Sequence, residues 1–148
     1  MSVPTCMMRT PPTQMGRPGP ISKAGPAYRD DFLSARSNED NVCNAFNYID
    51  MHSEQGCDVV FHETRDMIPK VPFRALIPKG SARITVAGRI VSADRWALAG
   101  IRAQCTCMAM GQAVGAAAAL AVKRGIASRE VPVKDIVALT VEHGAVPV

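Results

Sequence analysis

The sequence predicts an α/β fold, or α+β if the chain stands as an isolated piece, and three observations carry this. A short β-branched run, "RITVAG" at 83–88, reads as a strand stopped by Gly88. A run of small residues, "CMAMGQAVGAAAALAVKRG" at 107–125, reads as a helix several turns long. Residues 132–143 read as a second helix, because Val133, Ile136, Val137, Thr140 and Val141 fall on one face. The order strand, turn, small-residue helix sets a glycine at a strand end near a helix start, where ligands bind in open α/β sheets.

Taken in chain order, residues 1–30 are a tail. "RTPPTQMGRPGPISKAGP" is rich in Pro, Gly and small polar residues and has no apolar period. Residues 32–49 mix short helical and extended signals. "CDVVFHET" at 57–64 reads as a strand. "VPFRALIPKG" at 71–80 alternates apolar and polar positions between Pro72 and Pro78, which suggests an extended edge or connection. For the long helix Thr106 is the expected N-cap, Lys123 and Arg124 fill the last turn, and Gly125 ends it. Pro132 suits the first turn of the second helix and Gly144 its end. These divisions give three parts: the tail at 1–30, a middle segment at 31–80, and a strand–helix–helix unit at 81–148.

Composition bounds the function. A length of 148 residues suits one domain and one core, with 47% apolar, 20% charged and only 5% aromatic residues. The formal charge of +4 is spread along the chain, without the basic stripe and interleaved aromatics of a nucleic-acid binder. Five cysteines at irregular spacings do not read as a disulfide scaffold, so free thiols in a reducing cytoplasm are expected. The start lacks a signal-peptide pattern, and the uncharged run at 103–122 is diluted by Gln, Thr and Ala, so no membrane span is expected.

Gly111, Gly115 and Ala119 recur every four residues and share a helix face, which Ala118 broadens. Glycine inside a helix costs about 1 kcal/mol against alanine, so two at this spacing ask for a close neighbour. Close packing on a sheet is one answer. A flat ligand is another, with the free N–H groups of Cys107, Met108 and Ala109 and the positive end of the helix dipole facing an anion.

"VPFRALIPKG", "ITVAGRIVSAD", "IRAQCTCMAMGQAVGAAAALAV" and the upstream "YIDMH" together resemble the C-terminal part of the FAD-dependent oxidoreductase family. These are flavoproteins with a glutathione-reductase-type, two-nucleotide-fold FAD domain, and the resemblance runs from about Leu33 to the end. It implies a Rossmann-like fold, with residues 31–80 on the substrate or cap side and 81–148 closing the FAD domain. It implies FAD as cofactor and hydride transfer through the flavin to or from a small-molecule substrate. It implies that Gly88 and Arg89 lie near the ribityl and pyrophosphate, and that Thr106, Cys107, Met108 and Ala109 open the helix toward the flavin. Gly111 and Gln112 would lie beside the ring and Gly115 deeper, against the sheet.

Arg89, Arg95 and Arg102 are candidates for a phosphate or an acidic substrate, because guanidinium forks suit such groups; structural ion pairing is the alternative. His52 is a candidate acid or base on the substrate side. Cys107, beside the flavin by resemblance, is a candidate redox thiol, and Cys105 and Cys107 a candidate pair. His52, Cys57 and His62 are spaced by five with Asp50 nearby, which fits neither a helix face nor a strand face, so no metal site is expected. The G-x-G-x-x-G turn that cradles the adenosine diphosphate is absent from the 148 residues. The chain therefore reads as a C-terminal portion whose nucleotide-binding half comes from elsewhere, through a partner or self-association. The alternative is a remnant or interaction module that binds no flavin.

Overall fold

The computed structural model describes residues 27, 29–53, 56–60 and 67–148. In chain order they form α1 (Arg29–Leu33), β1 (Asn41–Asn44), β2 (Ile49–Ser53), β3 (Gly56–Val60), β4 (Lys70–Pro72), a 3-10 turn (Phe73–Leu76), α2 (Arg95–Ile101), α3 (Gln104–Arg124), a second 3-10 turn (Ser128–Glu130) and α4 (Val133–Glu142). The architecture is α+β. Two antiparallel pairs, β1–β4 and β2–β3, are the sheets among the described residues. Parallel pairing there is limited to one isolated bridge, Ala27 with Ala93.

One core serves the described residues. Ile49, Val71, Leu76, Ile101, Met110 and Ile136 are each fully buried, and they come from β2, β4, the first 3-10 turn, α2, α3 and α4. Truncating a side chain of this kind to Ala costs about 2–5 kcal/mol. Around this core α3 packs on β1 and α4, while α2 packs on β2. The last turn of α3 is pinned to the first of α4 by Arg124 and Asp135, 2.6 Å apart. Asn44 of β1 donates to the Pro147 carbonyl at 2.7 Å, which seats the C-terminal residues against the same face.

Asp94 holds the start of α2. Its carboxylate accepts from the Ala97 amide at 2.8 Å, an ordinary N-cap, and also from the Arg29 amide at 2.6 Å. The Ala27 amide donates to the Ser92 carbonyl and the Asp94 amide to the Ala27 carbonyl. α1 is thus fixed beside α2, and the Arg29 guanidinium lies 4.6 Å from the Trp96 ring centre.

Several elements depart from the sequence reading. The long helix starts at Gln104 with Ala103 as its cap, not at Thr106. Thr106 lies in the first turn and is almost wholly buried, so it serves as a core residue there. Residues 83–88 form no ladder: Val86 donates to the Leu76 carbonyl, and neighbouring strands on either side are lacking among the described residues. Residues 73–76 turn in a 3-10 helix where extension was expected, once β4 has paired with β1. Both predicted helix ends hold: Gly125 and Gly144 are left-handed, at φ 66° and 86°. Of the tail, all but Ala27, Arg29 and Asp30 lies outside the described residues, as do His62 and the second half of the strand expected at 57–64.

Candidate functional site

Two regions carry the residues singled out by the sequence. The first is the N-terminal half of α3. Thr106, Met110, Ala113, Ala117 and Ala121 make its buried stripe, spaced to face β1 and α4. The opposite stripe is bare. Met108 is 69% exposed, and Gly111, Gly115, Ala118 and Ala119 are exposed along the same side. A Cβ built on Gly111 or Gly115 would meet nothing within 4 Å. The expected close packing of these glycines on a sheet is therefore not made among the described residues. The helix turns its alanines to its own core and its glycines outward. By length and mean hydropathy of 1.6 it is also long and apolar enough to cross a bilayer.

Of the predicted cofactor residues, five divide between two flanks of this helix. Met108 and Gly111 stand on the bare stripe. Thr106, Ala109 and Gln112 line a recess between α3, β1 and α4, together with Cys43 and Cys105. Gln112 donates across it to the Thr140 carbonyl at 3.4 Å. The recess measures about 160 Å³. Small-molecule pockets run to roughly 300–1,000 Å³, so it is too small to take a flavin ring. Cys107 is half-buried, and its thiol donates to the Arg102 carbonyl at 3.5 Å. Gly88 and Arg89 belong to a turn closed by the Val91 amide and the Gly88 carbonyl, with Arg89 exposed.

The second region is the β2–β3 ribbon. Its register sets His52 directly opposite Cys57 and Met51 opposite Asp58. Residues two apart on a strand share a face, and directly opposed residues share it too. Asp50, His52 and Cys57 therefore come to one face. The His52 Nε2 lies 3.1 Å from one Asp50 carboxylate oxygen, and the Cys57 thiol donates to the other at 3.0 Å. One ligand-type atom from each of the three lies within 4.8 Å of the others. The Asp50 carboxyl is held below the usual carboxylate range, first by the Cys57 thiol, then by His52 and by the charge of Arg102.

α2 packs against β2 of this ribbon. Arg95 donates to the His52 carbonyl at 3.1 Å. Arg102, two helical turns further on, donates to the Asp50 carbonyl at 2.9 Å and lies 3.6 Å from its carboxylate. These two arginines, candidates for phosphate or substrate, are thus engaged in holding backbone.

Linear spacing set Asp50, His52 and Cys57 aside as a group, because the grouping is made across strands. The alternation of "YIDMH" followed by "GCDVV" was the available signal.

Residues 27–139 match the family described as FAD dependent oxidoreductase. No curated protein and no solved structure matches the chain.

Proposed function

This chain belongs to the FAD-dependent oxidoreductase family, and we propose that it supplies the flavin-ring side of an FAD site whose nucleotide-binding side comes from another polypeptide segment or a second copy. The observation that carries the reading is the bare stripe of α3. Gly111 and Gly115 offer open space on a helix face that the chain's own core leaves untouched, inside the span that matches the family. A flat aromatic ring can lie on such a face, and a side chain at either glycine would lift it off.

The fit to FAD is partial. The α3 N-terminus has no side-chain cap, so its first N–H groups are available to an electron-rich edge of the ring, and the dipole there favours negative charge. Met108 and Gly111 would bear on the ring, and Gly88 and Arg89 would lie toward the ribityl chain. The pyrophosphate and adenosine have no Gly-rich turn within the 148 residues. When bound, the flavin supplies the hydride-accepting chemistry, while the protein supplies orientation and electrostatics. Residues 83–88 would gain strand neighbours from the same partner segment, and residues 31–80 would face a small-molecule substrate. The odd count and irregular spacing of the five cysteines suit a reducing, cytoplasmic setting.

A second reading, an interaction module that binds no flavin, is favoured by the missing Gly-rich turn. One measurement separates them: the visible absorbance of the purified chain before and after incubation with FAD and desalting. Retained flavin bands support the first reading. A colourless protein at every concentration supports the second for the chain on its own.

A further inference from the structure

We propose that Asp50, His52 and Cys57 form a binding site for a single divalent transition metal, with zinc as the ion their chemistry suits best. A carboxylate oxygen, an imidazole nitrogen and a thiol sulfur form the mixed O, N, S set that borderline-soft Zn(II) accepts. Their spacing agrees. Zinc bonds of about 2.0–2.3 Å in tetrahedral geometry set ligand atoms roughly 3.3–3.7 Å apart. Here Asp50 lies 3.1 Å from His52 and 3.0 Å from Cys57, and the whole set fits within 4.8 Å. Small side-chain rotations suffice to open the triangle around an ion.

The backbone that carries the ligands is held as well. Register fixes His52 opposite Cys57, and Arg95 and Arg102 hold the carbonyls of His52 and Asp50. Arg102 also lies 3.6 Å from the Asp50 carboxylate, the kind of outer partner that orients a ligating carboxylate. Three ligands on an exposed ribbon face leave a fourth position for water or a substrate atom. The charges balance on binding: Cys57 gives its proton to solvent, and thiolate and carboxylate together offset the dication. This site rests on the ribbon alone and is independent of the flavin reading.

The test uses the full chain, stripped by a chelator and titrated with Co(II) alone, then with Zn(II). The expected result is a thiolate-to-cobalt charge-transfer band that saturates at one equivalent and is lost on adding one equivalent of zinc. Cys57→Ser should abolish the band, and Asp50→Asn and His52→Gln should each weaken cobalt binding at least about tenfold. Cys105→Ser and Cys107→Ser should keep the band. Far-ultraviolet circular dichroism checks folding, and His52→Gln, at an exposed position, decides the matter if Cys57→Ser fails to fold. Absence of the band in the parent chain overturns the proposal. So does a band that survives Cys57→Ser, or cobalt affinity unchanged in His52→Gln.

Discussion

The ring of Phe32 occupies the place where a side chain at Gly100 would stand. A Cβ on Gly100 would come within 2.5 Å of the Phe32 Cε1, and Phe32 is itself buried. α1 and α2 therefore meet through an aromatic ring laid on helix backbone. Gly100→Ala would ordinarily favour a helix, but here the ring must shift. The variant should lose about 1–3 kcal/mol, the usual range for overpacking, in urea denaturation. Phe32→Leu in the same chain should recover part of that loss, a coupling that a double-mutant cycle reads directly.

Asp94 gives a second stability prediction. Its carboxylate accepts from two amides, of which Ala97 is the helical one. Asp94→Ala should cost at least the roughly 0.5–2 kcal/mol of an N-cap. Asp94→Asn keeps an acceptor oxygen and should cost less. Urea midpoints of the two variants, compared at constant m-value, check the order.

Gly111 separates fold from cofactor. Open space around it means that Gly111→Leu should leave the unfolding free energy from urea denaturation unchanged or raise it by about 0.5–1 kcal/mol through helix propensity. The same variant should lose any FAD that the parent chain retains after desalting. A Gly111→Leu protein that keeps its flavin would remove the bare stripe from the site.

Cys43 gives a pH prediction. Burial pushes its thiol from the ordinary 9.0 up to about 12. The unfolded chain ionises this thiol first, so the stability it contributes is complete below about pH 9 and declines as pH rises toward 12. Alkylation at pH 8 should label exposed Cys105 well before Cys43, and peptide mapping of a timed reaction reads that difference.

The helices were the legible part of this chain. α4 appeared almost as predicted, because its apolar face repeats at helical spacing and Pro132 and Gly144 punctuate it. α3 was legible in extent but not in orientation. A helix of Ala, Gly and Met carries little amphipathic contrast, so composition could not tell which small residues would face the core. The start of α3 was misread because Thr106 has the chemistry of a cap, yet its side chain was drawn into the core. The strand expected at 83–88 has the residues for a ladder and lacks a partner among the described residues. The ribbon site lay beyond linear spacing, since the distance from His52 to Cys57 is set by register.

The double hold of Asp94 reaches further than the capping of one helix. It ties Arg29 to a residue 65 positions away, and the paired bonds of Ala27 with Ser92 and Asp94 close the same circuit. The two ends of the segment that carries the ribbon are thus joined by these few amides. In hydrogen exchange the amides of Ala27, Arg29, Asp94 and Ala97 should therefore open as one cooperative unit. Protection lost at one of them would be lost at all four, while the amides of α3 stay slow.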